Sequence, residues 1–171
     1  MYRNTKERNT FFPPVSITSL LGSPNHTITA TAVRPNGVPV ITCSDDVVYS
    51  YDSCLSTWVK VTEKWWMEGS DVWPGRQRAN VSNANRGIIS SLEASINGTP
   101  DERLMDKPRP DWWNPALTLG HLETRLHSAR LLDSPQEYRQ ALLLYAKKIA
   151  DEGFRGKAEE LIKELFGPVF W

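Results

Sequence analysis

Cysteine and histidine are scarce in this chain, with two and three residues respectively among 171. Cys43 and Cys54 form no C-x-x-C and are too few for a disulfide framework, so they read as free, buried thiols in a reducing setting. The three histidines supply no metal site. His121 and His127 stand six residues apart, about 120° around a helix, and cannot share a ligand face. His26 sits in a turn beside Asn25. Neither H-E-x-x-H nor a Cys/His spacing occurs, so no metal and no cofactor is expected. Long apolar runs are missing too: nothing approaches the ~18 uncharged residues of a membrane span. The opening MYRNTKERNTFFPPVS has no apolar core of a secretory signal, and the expected setting is intracellular. The N-x-[ST] triplets at Asn25, Asn80 and Asn97 are then chance matches. Charge of one sign is absent as well. Twenty basic and twenty acidic residues give zero net charge, without a basic field for nucleic acid or an acidic block.

Catalytic patterns are equally thin. The glycines are isolated, so no loop cradles phosphate, and no G-x-S-x-G is present. Cys43 lies among strand residues with no base partner. The acid pairs Asp45-Asp46, Asp101-Glu102, Asp151-Glu152 and Glu159-Glu160 are adjacent in sequence, at turns or on solvated faces. Carboxylates that act together converge from different elements across a cleft. The chain is therefore expected not to be an enzyme. Seven tryptophans raise the question of a stacking platform for single-stranded nucleic acid. Arg76, Arg78 and Arg86 do follow Trp73, but Glu63, Glu68 and Asp71 balance them, and direct sequence-specific binding to nucleic acid is not expected.

What is present begins with strands. Val15–Leu21, Thr27–Val33, Val38–Cys43, Val47–Tyr51 and Trp58–Thr62 are short and rich in β-branched and aromatic residues. Pro35-Asn36-Gly37 is a hairpin signal, because Asn-Gly tolerates positive φ. Ser44-Asp45-Asp46 turns the next pair, and Asp52-Ser53 opens a looser connection. Four antiparallel strands within 28–62, after an N-terminal segment 1–27 with one further strand, have the dimensions of one β-propeller blade. A single blade cannot bury both faces. Either the chain is a slice of a longer protein, or its helices and a partner cover the sheet.

Residues 63–114 read as a connector rich in Trp and Pro, punctuated by Pro74-Gly75, Asn80–Asn85, Asn97-Gly98, Pro108 and Pro110, with one short helix over Gly87–Ile96. Residues 115–171 read as three helices. Asn114-Pro115 is a cap and first turn, and Leu119, Leu122, Leu126 and Ala129 form one stripe. Ser134, Pro135 and Glu137 spell a capping box with proline at the first position. Tyr138, Ala141, Leu142, Tyr145 and Ile149 line the second helix, while Leu143 and Leu144 point elsewhere. A helix apolar on more than one side is covered on more than one side. Gly153 stops that helix. Ala158, Leu161, Ile162, Leu165 and Phe166 share a face of the third, with Glu159 and Lys163 spaced to pair at i,i+4 beside them, and Gly167-Pro168 ends it. The expected class is α+β: an incomplete propeller of about one four-stranded blade, a long connector and a small three-helix region. Tyr138, Leu143, Leu144, Tyr145, Phe154 and Phe166 are the candidate interface residues.

Two stretches carry a family resemblance. Gly37-Val38-Pro39-Val40, Ser44-Asp45 and Leu55-Ser56-Thr57-Trp58 form the first. Leu122-Glu123, Glu137-Tyr138-Arg139, Leu143–Ala146, Glu152-Gly153-Phe154 and Leu165-Phe166-Gly167-Pro168-Val169 form the second. On these the chain resembles the C-terminal region of the HIRA family of histone chaperone subunits, in a fungal-looking version. The resemblance implies a nuclear scaffold in a complex that deposits histones independently of DNA replication and represses transcription. It implies docking of other subunits, including a large helical-repeat subunit, self-association of the full-length protein, and indirect contact with histones. The family's N-terminal WD propeller and its short basic segment are not in this sequence. An adaptor of the DNA replication machinery would share the propeller-plus-helix architecture and is the rival expectation.

Overall fold

The computed structural model describes residues 14–22, 24–73, 87–96 and 108–167. The turn signals at 74–75, 80–85 and 97–98, the arginines at 76, 78 and 86, the acid pair at 101–102 and the residues after Gly167 lie outside that range.

Four strands, β1 (Ile28–Val33), β2 (Pro39–Cys43), β3 (Val48–Asp52) and β4 (Thr57–Thr62), form one antiparallel sheet in the order β1-β2-β3-β4. The meander follows from its turns. Gly37 takes φ 87°, and Asn36 Oδ1 accepts the Val38 N–H, which closes the first hairpin. Asp46 at φ 60° turns the second, and Asp52 Oδ1 accepts the N–H groups of Cys54 and Leu55 before the third. Alternation along β2 and β3 then sorts side chains between two faces. Val40, Val48 and Val61 point one way, while Ile41, Cys43, Tyr49 and Trp58 point the other. The segment expected as a strand over Val15–Leu21 is instead an irregular stretch with a 3₁₀ turn at Thr18–Leu20. Its Leu20 plugs the second face, and Ser16 offers its carbonyl to Trp58 Nε1 at 2.9 Å. Val15 and Ile17 stay exposed, and the segment is held by Leu20 and the Trp58 contact instead of by strand pairing.

After a 3₁₀ turn at Lys64–Glu68 the described residues form four helices: α1 (Ile88–Ser95), α2 (Trp113–Leu131), α3 (Pro135–Glu152) and α4 (Arg155–Phe166). The short helix expected in the connector is therefore real, and it belongs to the core. Ile89 packs with Val40, Val48, Val61, Ala129 and Leu132 beneath the sheet. Helices α2, α3 and α4 build a second cluster from Leu119, Leu122, Tyr145 and Ile149, with Val72 and the half-buried Leu126, Ala158 and Leu161.

Two helix starts differ from expectation. Helix α2 begins at Trp113, one residue before Asn114, and no side chain caps it. Pro115 then falls within the first turn, where its missing N–H costs nothing. Ser134 precedes α3 with Pro135 at the first position, but its hydroxyl donates to Glu137 Oε2 at 2.9 Å and caps no backbone N–H. Glu137 is engaged elsewhere. The C-terminal stops hold: Gly153, at φ 69°, ends α3 in a Schellman motif, with Phe154 N–H to Ile149 C=O and Gly153 N–H to Ala150 C=O. Asp133 does the same for α2 at φ 51°, with Ser134 N–H to Ala129 C=O.

The sheet is fastened to the helices by polar contacts as well as by apolar packing. Arg34 donates through Nε and Nη2 to the Leu132 carbonyl at 3.2 and 3.0 Å, and Asn36 Nδ2 reaches the Leu131 carbonyl. The first hairpin thus satisfies carbonyls that α2 leaves open at its C-terminus.

Candidate interaction surface

Helix α3 has a buried side and an outer side that does not match it. Ala141, Tyr145 and Ile149 are buried against α2. At 100° per residue, Leu143 and Leu144 fall outside that stripe, and they stand 66% and 38% exposed. The Schellman turn at Gly153 sends the chain into α4, with Phe154 left 39% exposed at the corner. Helix α4 contains no fully buried residue. Ala158 and Leu161 touch the core, while Ile162, Leu165 and Phe166 face outward, Phe166 being 80% exposed. The expected Glu159–Lys163 pair does not form; the α4 ion pairs are Lys157 to Glu123 and Glu160, and Glu164 to Arg130.

Of the six candidate interface residues, Leu143, Leu144, Phe154 and Phe166 are on the surface. Tyr145 is not. It is buried between α2 and α3, and its hydroxyl donates to Glu123 Oε1 at 2.6 Å. Burial, then the bond to Glu123, pushes that hydroxyl far above the ordinary phenol range. Tyr138 is half-buried against the sheet-side core, with the Arg130 guanidinium over its ring at 5.3 Å. Helical periodicity already places both on the inward stripe. Between α2, α3 and α4 runs a groove of about 260 Å³ floored by Leu126, Leu142 and Leu161 and rimmed by Glu123, Arg130, Lys157 and Glu164. Its rim charges are already paired across it.

Two polar networks stitch the elements, and sequence reading missed both. In the first, the Glu137 carboxylate of α3 accepts the backbone N–H groups of Ile89 and Ser90 and the Ser90 hydroxyl, all within 3.0 Å. One helix thus supplies the anionic cap of another, 48 residues earlier in the chain. Burial opposes ionisation of Glu137, but the bonds from Ser90, Ile89 and Ser134 outweigh it and hold the carboxyl below its usual range. Gly87 is what permits this approach, since a Cβ there would collide with the Glu137 side chain.

In the second network His121 is buried, 2.8 Å from Ser70 Oγ through Nδ1 and 2.7 Å from Glu93 Oε1 through Nε2. Its ring stacks on Trp66 at 5.5 Å and leans on Trp73 at 5.6 Å. Arg125 adds its Nε to Glu93 at 3.0 Å. A carboxylate only accepts, so Nε2 donates to Glu93, while Nδ1 lies within hydrogen-bond distance of the Ser70 hydroxyl. The order Ser-His-Glu resembles a hydrolytic triad in residue types. However, Ser70 and His121 are 0% and 1% exposed, so no substrate reaches the hydroxyl. The arrangement pins α1 and the 3₁₀ turn onto α2. Among the described residues no group of His, Cys, Asp and Glu could hold a metal ion, and no helix is long and apolar enough to cross a membrane. Cys43 is buried as expected, whereas Cys54 is exposed on the β3–β4 turn.

A blade-like sheet backed by helices, with apolar side chains exposed on the outermost two, defines a module of the propeller-plus-helix class. Comparison with known proteins narrows this. Residues 2–165 match the family model described as Hira, TUP1-like enhancer of split. The chain is 34% identical to Protein HIR1 of Mycosarcoma maydis, over all of this chain and 19% of that protein. It is 34% identical to the histone transcription regulator slm9 of Schizosaccharomyces pombe, over 80% of this chain and 18% of that protein. The crystal structure of HIRA(644-1017) superposes with a TM-score of 0.65 at 27% identity, covering 91% of this chain and 46% of that one. The chain belongs to the Hira family, and it spans about a fifth of the length of the curated relatives it matches.

Proposed function

We propose that this chain is a non-catalytic scaffold module of a HIRA-type histone chaperone complex. It works in the nucleus and supports replication-independent nucleosome assembly and transcriptional repression. In this reading the blade of residues 28–62 and the connector of 63–114 form a base, and the helical region of 115–171 is the docking side. Other subunits, a large helical-repeat subunit among them, bind there, and histones are reached only through them. Self-association belongs to the full-length protein.

One observation carries the docking reading: α3 keeps a complete inner stripe and still presents Leu143 and Leu144 to solvent. Exposed leucines beside a finished core are surplus to folding, and clustered apolar surface marks interaction sites. Membership in a family that includes a histone transcription regulator supports the chromatin setting over the replication machinery. The test is Leu144→Asp in the full-length protein. Helical content by circular dichroism stays unchanged while co-purification of the complex's other subunits falls by about tenfold, the ~1.4 kcal/mol of one modest contact residue. Undiminished co-purification overturns the docking role of this face.

A further inference from the structure

The outer face of α3 carries charge as well as apolar surface. Arg139 and Lys147 stand four residues before and four residues after Leu143, so the three side chains lie in a row about 40° apart around the helix. All three are exposed. Several other cations of the helices are paired. Arg130 pairs with Glu164, Lys148 with Asp71 and Glu152, and Lys157 with Glu123 and Glu160. Among the described residues no carboxylate lies within 4.0 Å of Arg139 or Lys147. Leu144 borders Lys147 on its other side. An apolar strip framed by unpaired positive charges is thus held on a rigid helix whose inner face is locked into the core.

We propose that this strip docks an acidic amphipathic helix of a partner protein: leucine-type side chains seat on Leu143 and Leu144, and carboxylates on either side meet Arg139 and Lys147. The proposal rests on the docking reading above and specifies the chemistry of the occupant. Helix-in-groove partners present apolar anchors at i, i+3 or i+4, and flanking charge selects among them. A nucleic acid backbone would engage the two cations but gains nothing from a central leucine, so the leucine is what discriminates.

The experiment uses the whole chain and a synthetic helical peptide of roughly 18 residues, about five turns. It carries leucines at i, i+4 and i+7 flanked by glutamates, and its twin carries lysine in place of each glutamate. Fluorescence anisotropy is expected to show binding of the acidic peptide at least about tenfold tighter than of the twin. The preference shrinks as salt rises from ~0.01 M to ~0.15 M and the screening length contracts from ~30 to ~8 Å. Arg139→Glu with Lys147→Glu should reverse the preference, and Leu143→Asn should weaken both peptides. All three positions are exposed, so the variants keep the fold. Equal binding of the two peptides overturns the proposal. So does indifference to Leu143→Asn, or duplex DNA outcompeting the peptide. Light scattering that shows a dimer of this chain, dispersed by Leu143→Asn, assigns the strip to a second copy and overturns it as well. If the peptides fail while Leu144→Asp still releases complex subunits, the acidic-helix assignment falls and the docking reading stands.

Discussion

Glu137 shows how one side chain serves two helices. It lies in the first turn of α3, where a negative charge favours the helix dipole, and its carboxylate closes the open N–H groups of α1. Replacement by Gln keeps the shape and loses the charge, at an expected cost of about 2 kcal/mol at neutral pH by urea denaturation. The pH dependence has a definite sign. The carboxyl titrates lower in the folded chain than its ordinary 4.5, so its contribution is complete above that value and disappears as pH falls through the folded pKa. The Glu137→Gln variant should therefore lose less stability than the parent as pH falls below 4.5, and parallel acid limbs would show that the cap does not titrate. The sequence displayed the Ser134–Glu137 spacing but gave no sign of the second partner. A capping-box pattern specifies local hydrogen bonds. Which donors finally win depends on α1 arriving from a distant stretch, with only glycine at position 87 leaving room.

Among the elements, strands and long helices were legible because their signals are periodic and local. The Asn36-Gly37 turn, the alternation of β2 and β3 and the stop at Gly153 each act within a few residues. What the sequence did not disclose is how the connector folds back. Ser70, Glu93 and His121 come from three separate segments, and no spacing rule joins them. The candidate surface was legible to the same extent. Leu143 and Leu144 leave the stripe by simple angle counting, whereas Tyr145 faces inward on the same angle. The buried network yields its own prediction. His121→Leu takes a hydrogen bond from Glu93, whose carboxylate keeps Arg125, and should cost about 1 to 3 kcal/mol in urea unfolding. Glu93→Leu in the same chain breaks the same contact, so the combined loss should fall short of the sum of the single losses by at least about 0.5 kcal/mol. Strictly additive losses would mean that the two residues act independently.

For the molecule as a whole, burial divides its two thiols. Cys43 is enclosed between the sheet and Leu20, and desolvation, aided by Asp45, raises its thiol above the ordinary value, while Cys54 is open to solvent. Under native conditions at mildly alkaline pH a maleimide should modify Cys54 promptly and Cys43 only as fast as the fold opens, which mass spectrometry reads directly. Rapid double labelling would show that the N-terminal segment does not seal the second face of the sheet.

Arg34 adds a kinetic consequence. The carbonyl it grips is 98 residues further along the chain, so closing that clasp joins two distant stretches of the polypeptide. Contacts of such separation raise contact order, and a loop must be closed before they give any return. Refolding should therefore be slow for a chain of this size. Shortening Arg34 to Ala should accelerate unfolding far more than it retards folding, because so late a fastening has no part in the nucleus.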